Sequence, residues 1–494
     1  MTQSTLQDQI RQMFDSDTFR STGHAVIDLL ADHLDKNLQG KGDVLDWQAP
    51  HEAIQHWQKP IPQQPTLTPA GFLAALQDKV LAGTLHIHHP RNMGHQVAPP
   101  LPVAALCDLV AALTNQAMAV YETGPSATLI ERQVIRWLGE LVGWQDTEGV
   151  LTSGGAQANL TALLAARQVQ ARKIDPDWDA WQQGLGRGNP MCILVSEHAH
   201  YSVSRAAGIM GLGTEAVIKV ATDAAGRMQM TALEAAWRQA SEQGMTVFAV
   251  AANAGCTPTG SIDPLAEIGS FCRERDIWFH VDGAHGASAL LSDTHRSALD
   301  GIALADSVVW DGHKLLYMPA MVSAVLFRKP QHSYAAFAQQ ASYLFQGDSQ
   351  AEETYNTSYR TLECTKRMMG LKLWAAFSLY GAERLGQLVD TVFTTARAFA
   401  EKLRAQPDFE LLMSPETNIL CFRHHAPGLV PSTMNDHQSA LRLQLVRNGE
   451  FHLTQVELHG TIWLRTSIMN PLTGPGDLDA LLVALRDASA RLQR

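Results

Sequence analysis

The sequence predicts an α/β fold built on a mostly parallel sheet with helices on both faces. Three observations carry that expectation. From about residue 149, short apolar or β-branched runs alternate with amphipathic stretches of helix length. Several of those runs end in clusters of Gly, Asp, His or Lys, and ligands bind beyond the carboxyl ends of strands in such sheets. The chain, at 494 residues, is also long enough for two or three domains with a large buried core.

The N-terminal hundred residues read as helices joined by a loop. Ser21 to Leu38 carries Val26, Ile27, Leu29, Leu30 and Leu34 at helical spacing. After the linker QKPIPQQPTLTP, Thr68 and Pro69 supply an N-cap and an N1 proline for AGFLAALQDKVLAGTL. So thin an arm cannot bury its own apolar face, which predicts packing on the main body or on a second subunit. The apolar stretch Leu101 to Val120 contains Asp108, Asn115 and Gln116, so it reads as a buried helix and not as a membrane span.

The strands expected next are GVLTSG, MCILVSE, AVIKVA, TVFAVAA, IWFHVDGA and SVVWDGHK, with TALEAAWRQASEQG and DPLAEIGSFCRERD among the intervening helices. After Val322 to Phe327 the polar stretch GDSQAEETYNTSYRT is aperiodic, as expected of a mobile loop over a site. From about Met368 a long helix, the strand-like ETNILCFR and TIWLRTSI, and the closing helix DLDALLVALRDASARLQ form a small C-terminal α+β domain. The expected division is a helical arm over 1–90, a large domain over 91–370 and a small domain over 371–494.

Composition narrows the function. A net charge of −11 without any Lys/Arg block argues against a nucleic-acid partner. The six cysteines are far apart with no CxxC pair, and the N-terminus lacks a signal-peptide pattern, so a cytoplasmic enzyme with reduced thiols is expected. The histidines at 86, 88 and 89 and at 424 and 425 show no metal-ligand spacing, and no metal site is expected.

Four strand-end motifs carry chemistry. In Thr152-Ser153-Gly154-Gly155-Ala156 the paired glycines precede a helix, where backbone N–H groups can surround a phosphate; a plain tight turn is the structural alternative. In His280-Val281-Asp282-Gly283-Ala284 the Asp needs a cationic partner if buried, and the small Ala284 leaves room for a flat ring; a turn-capping Asp is the alternative. In Asp311-Gly312-His313-Lys314 the apolar residues that follow can lower an amine pKa by desolvation, which suits imine formation, although most lysines are solvated surface charges. In Ser196-Glu197-His198-Ala199-His200 the last imidazole can stack on a flat ring or cap the next helix.

The succession TSGGAQANLTALLAAR, SEHAHYSVSRAAGIMGLG, HVDGAHGA and DGHKLLYMP resembles the group II pyridoxal-phosphate decarboxylases, from about His89 to Pro471. That family includes glutamate, aromatic-amino-acid, histidine and diaminobutyrate decarboxylases. The resemblance implies a fold-type I enzyme with a seven-stranded-type sheet, acting as a homodimer whose active site lies at the subunit interface. It implies that Lys314 holds pyridoxal 5′-phosphate as a Schiff base, with His313 beside it. Asp282 would hold the pyridine nitrogen, Ala284 would pack beneath the ring and His200 would stack on its other face. Gly155 and Ala156 would bind the phosphate, and Thr257 would lie on the hydroxyl side. Arg465 would meet the substrate carboxylate, and Tyr355, with Tyr359 as the alternative, would return a proton to Cα.

In the substrate segment His89 to Val97 this chain has polar His95 and Gln96 where the aromatic enzymes are rich in Tyr and Phe. Tyr121 to Pro125 likewise resembles the glutamate and cysteine-sulfinate enzymes. A polar or acidic amino acid such as aspartate, glutamate or 2,4-diaminobutyrate is therefore expected. An aromatic-amino-acid decarboxylase, an aminotransferase and a decarboxylating aldehyde synthase are the alternatives.

Overall fold

The computed structural model describes residues 3–337 and 353–493. The chain separates into two units that interleave along the sequence. One comprises the N-terminal segment up to Gly94 with His424–Leu464 and the residues from Leu472 onward; the other comprises His95–Arg423 and Arg465–Pro471.

The second unit holds a seven-stranded sheet. Its strands are β1 (Glu148–Thr152), β2 (Met191–Ser196), β3 (Val217–Val220), β4 (Thr246–Asn253), β5 (Trp278–Asp282), β6 (Ser307–Asp311) and β7 (Ser323–Phe327). They lie in the order β1-β7-β6-β5-β4-β2-β3. Neighbours from β3 through β6 are parallel, and β7 runs antiparallel to both β6 and β1. Strands β1 to β6 therefore all run the same way and deliver their carboxyl ends to one edge, and the loops after four of them carry the four sequence motifs. The central strands are buried along almost their whole length, as expected where helices cover both faces of a sheet. Four further strands, β8 (Phe409–Leu411), β9 (Ile419–His424), β10 (Thr454–Leu458) and β11 (Thr461–Ser467), form a small sheet in the order β10-β11-β9-β8.

All six expected strands of the main sheet and the four later elements are present. The apolar stretch from Leu101 is corrected. It forms a helix only over Pro102–Thr114, ended by Asn115 in the left-handed conformation, and only Ala104 and Ala111 are buried. Leu106, Leu109, Val110 and Leu113 are exposed. The helix packs against the long Gly370–Arg404 helix, where Lys372 pairs with Asp108 at 3.3 Å, and its leucines face outward. Of the polar stretch 347–361, residues 347–352 lie outside the described residues; the remainder makes turns, including the short 3₁₀ helix Thr357–Tyr359.

In the N-terminal unit, helices Gln3–Met13 and Ser16–Leu38 precede a segment that bonds to the C-terminal part, with Val44 N–H donating to Gly449 O at 2.7 Å and Met93 N–H to His452 O at 2.9 Å. No helix among the described residues is long and apolar enough to cross a membrane.

One buried ion pair fixes the border strand beside the glycine turn. Lys366 Nζ pairs with Glu131, and between them they take up both polar backbone groups of Leu151: Glu131 accepts from its N–H at 3.1 Å and Lys366 donates to its carbonyl at 2.7 Å. Both side chains are almost wholly buried, and burial pushes the Lys366 pKa down against the pull of Glu131. Removing one partner strands a buried charge. Lys366→Met is therefore expected to destabilise the protein by about 3–5 kcal/mol in urea unfolding, whereas a Lys366→Met, Glu131→Leu double variant recovers most of that loss. A single variant as stable as the parent would contradict this account.

Candidate active site

The carboxyl ends of the parallel strands enclose a cavity of about 280 Å³. After β1 the chain turns directly into the Gly155–Ile174 helix, so Gly155 and Ala156 are its first residues and their N–H groups have no carbonyl within the helix to bond. An added Cβ at 155 would stand 2.9 Å from Asp311 Oδ1, so a side chain there would displace the Asp311 carboxylate. His200 enters after β2, Gly255 to Thr257 after β4, Asp282 to His285 around the end of β5, and Asp311 to Lys314 at the end of β6.

Lys314 Nζ lies 3.2 Å from Asp311 Oδ2, and His313 Nε2 lies 3.5 Å from the same oxygen. Asp311 is buried and also accepts the Ser323 hydroxyl. Asp282 accepts the Ala284 N–H at 3.2 Å through Oδ1 and the Asn159 amide at 2.9 Å through Oδ2. His200 is half-buried, and burial lowers its pKa against the opposing pull of Asp282. An amine, a carboxylate and an imidazole thus face one small, half-buried space, where each interaction is stronger than at the surface.

The structure brings Gly155, Ala156, His200, Thr257, Asp282, Ala284, His313 and Lys314 together as lining of this cavity. Four other expected residues do not line it. Tyr355 is on the surface, its ring 5.7 Å from that of Tyr121 and 4.5 Å beneath the Arg132 guanidinium. His95 is exposed and Gln96 is half-buried. Arg465 is buried, but its Nε and Nη2 donate to the carbonyls of Pro258 and Thr257 at 3.0 and 2.7 Å. It therefore braces the loop that carries Thr257. Tyr359, the alternative to Tyr355, is half-buried outside the lining.

Sequence reasoning assigned no role to Asn159, Asn253, His285 or Asp311, all of which line the cavity. Asp311 carried a usable signal, being three residues before the lysine at a strand end. Asn159 and Asn253 carried none, since a helical Asn and a strand-end Asn are ordinary.

The cofactor expected from the sequence fits this space. Helix-start amides suit a phosphate, Lys314 supplies the amine, and Asp282 offers an acceptor for a ring N–H. Two buried atoms of the lining, Asn253 Nδ2 and His285 Nδ1, have no hydrogen-bond partner among the described residues, as expected where a polar ligand completes the site.

Two imidazoles of the site region are wholly buried and neutral. Burial lowers the pKa of His280 to about 4 and that of His285 to about 3. Below pH 6.5 the unfolded chain takes up protons that the native state refuses, so stability falls as pH drops from about 6.5 towards 4. The cost is on the order of 3 kcal/mol for each imidazole at pH 4. Urea unfolding at pH 7 and pH 4.5 is expected to show less acid loss in His285→Gln than in the parent; equal losses would contradict the assignment.

The family model described as the pyridoxal-dependent decarboxylase conserved domain matches residues 50–425. Cysteine sulfinic acid decarboxylase of Mus musculus is 33% identical over 405 residues, covering 80% of this chain and 81% of the mouse protein. Acidic amino acid decarboxylase GADL1 of Homo sapiens is 29% identical over 449 residues, covering 89% of this chain and 85% of the human one. The crystal structure of the mouse cysteine sulfinic acid decarboxylase superposes with a TM-score of 0.88 at 30% identity, covering 96% of this chain and 99% of the other. With the motifs, the strand-end cavity and these likenesses in agreement, the chain belongs to the pyridoxal-dependent decarboxylase family and is a pyridoxal-phosphate-dependent amino-acid decarboxylase.

Proposed function

We propose that this enzyme converts a polar or acidic L-amino acid, such as aspartate, glutamate, cysteine sulfinate or 2,4-diaminobutyrate, to its amine and carbon dioxide. The observation that carries the reading is the convergence of the Lys314 amine, the Asp282 carboxylate and the helix-start amides of Gly155 and Ala156 on one cavity. The names of the relatives, one for cysteine sulfinate and one for acidic amino acids, support the substrate class.

Bound pyridoxal phosphate supplies an electron sink for the bond that breaks at Cα. Lys314 would hold the cofactor through its side-chain amine. Asp282, an acceptor fixed by two N–H donors, would hold a proton on the ring nitrogen and favour the positive charge there. Gly155 and Ala156 would hold the phosphate, Thr257 would meet the hydroxyl side, His313 would stand beside the lysine, and Ala284 and His200 would pack against the ring. Asp311 holds the Lys314 amine within the cavity until the cofactor is bound. Arg465, in TIWLRTSIMNP, is assigned to the substrate carboxylate on the strength of its resemblance to the family's arginine, and its bonds to the carbonyls of Pro258 and Thr257 place it behind the loop that lines the cavity. Tyr355, or Tyr359, returns the proton to Cα, and His95 and Gln96 face the substrate side chain.

The active form in this reading is a homodimer in the cytoplasm with the site at the subunit interface. The exposed leucines of the Pro102–Thr114 helix offer an apolar face for a second copy. Tyr355, His95 and Gln96, which do not line the cavity of their own chain, are then candidates to complete the partner's. The six free cysteines suit a reducing compartment.

The test is incubation of the loaded enzyme with these amino acids and with DOPA, recording carbon dioxide and product mass together. An amine with matching carbon dioxide from a polar or acidic substrate is expected; turnover of DOPA alone would overturn the substrate class. Lys314→Ala is expected to abolish turnover and the absorbance of the lysine-bound cofactor while the far-UV circular dichroism stays unchanged. Full activity in that variant would refute the role of Lys314.

A further inference from the structure

Asp282 and His200 reach the cavity from different strands, yet one buried amide serves both. Asn159 Nδ2 donates to Asp282 Oδ2 at 2.9 Å and to Ser202 Oγ at 2.9 Å. Ser202 Oγ in turn lies 2.8 Å from His200 Nδ1. Behind the amide, Asn159 Oδ1 lies 3.0 Å from His280 Nε2, and His280 Nδ1 lies 2.8 Å from Ser307 Oγ. Trp278 Nε1 donates to that same hydroxyl at 2.9 Å. Asn159, Ser202, His280, Ser307 and Trp278 are all buried.

The direction of every bond follows by elimination. A carboxylate only accepts, so the Asn159 amide must turn its N–H towards Asp282 and its oxygen towards His280. His280 Nε2 then carries the ring proton. The ring is neutral, so Nδ1 is a lone pair and takes the Ser307 hydroxyl proton, while the Ser307 oxygen accepts from the indole. On the other branch the second N–H of Asn159 occupies Ser202 Oγ, so the Ser202 proton points to His200 Nδ1, which also receives the Ser202 backbone N–H at 3.3 Å. His200 is thereby held as the tautomer protonated at Nε2, with that N–H directed away from the chain.

We propose that Asn159, backed by His280, is a positioning residue for decarboxylation: a one-way chain of hydrogen bonds from Trp278 fixes both the orientation of the Asp282 carboxylate and the tautomer of His200. This rests on the roles given above to Asp282 and His200. Neither Asn159 nor His280 needs to change protonation or touch the substrate. Each acts by holding a group that does.

The experiment compares loaded Asn159→Leu, His280→Phe, His280→Gln and Asp282→Asn enzymes, measuring kcat, KM, bound pyridoxal phosphate and the absorption spectrum of the bound cofactor. Asn159→Leu and His280→Phe are expected to retain the cofactor and to lose about tenfold or more in kcat, as for a lost hydrogen bond to a charged group. KM should change by less than about twofold, because the substrate contacts remain. The cofactor spectrum should shift in the direction seen for Asp282→Asn. His280→Gln keeps an N–H for Asn159 Oδ1 and should recover most of the kcat lost in His280→Phe. Should Asn159→Leu not retain cofactor, the two His280 variants decide the question alone. The proposal is overturned if Asn159→Leu with bound cofactor keeps wild-type kcat, or if His280→Gln is as impaired as His280→Phe. An Asp282→Asn enzyme that keeps full kcat would instead overturn the role given to Asp282.

Discussion

A half-buried carboxylate and a half-buried amine share one small cavity, and the surrounding structure can be understood as what their withdrawal from water requires. Neither charge is tolerated there alone. Asp311 sits 3.2 Å from the Lys314 amine, and two N–H donors hold Asp282. Each of these supports has its own, since Ser323 donates to Asp311 and the His280 ring orients the Asn159 amide. The polar groups thus form connected networks within a sheet otherwise filled with Val, Ile, Ala and Phe, where a partly satisfied network would be worse than none.

The parallel sheet makes that concentration of polar groups possible. With six strands ending on one edge, loops far apart in sequence meet within a few ångströms, while the rest of each central strand stays apolar and buried. Close approach also needs glycine. At Gly155 an added Cβ would meet Asp311, and at Gly286 it would stand 2.4 Å from the carbonyl oxygen of Ala254. These positions let the loop after β1 close over the end of β6, and the turn after β5 pack on the end of β4.

The strands and their terminal motifs were legible in the sequence because both are local: an apolar run followed by Gly, Asp, His or Lys needs no knowledge of partners. The cavity lining was legible for a related reason, since strands that run the same way in such a fold end on one edge. Residues that act through distant partners were not legible. Asn159 and His280 are 121 positions apart and meet only because the Gly155–Ile174 helix crosses the sheet. The helix after Leu101 failed differently. An apolar stripe shows that a face avoids water, but not whether its own chain or another covers it, and here the leucines remain exposed. The placement of Arg465 was equally hidden, because its bonds run to backbone carbonyls, which leave no mark in a sequence.

Both borders of the main sheet carry features that discourage further pairing. On one side the Lys366–Glu131 pair consumes the backbone groups of Leu151 in β1. On the other, β3 is only four residues long and displays the exposed Lys219. An intruding strand would have to displace a buried ion pair at one margin and could gain only a few bonds at the other, so each margin disfavours edge-to-edge growth of the sheet.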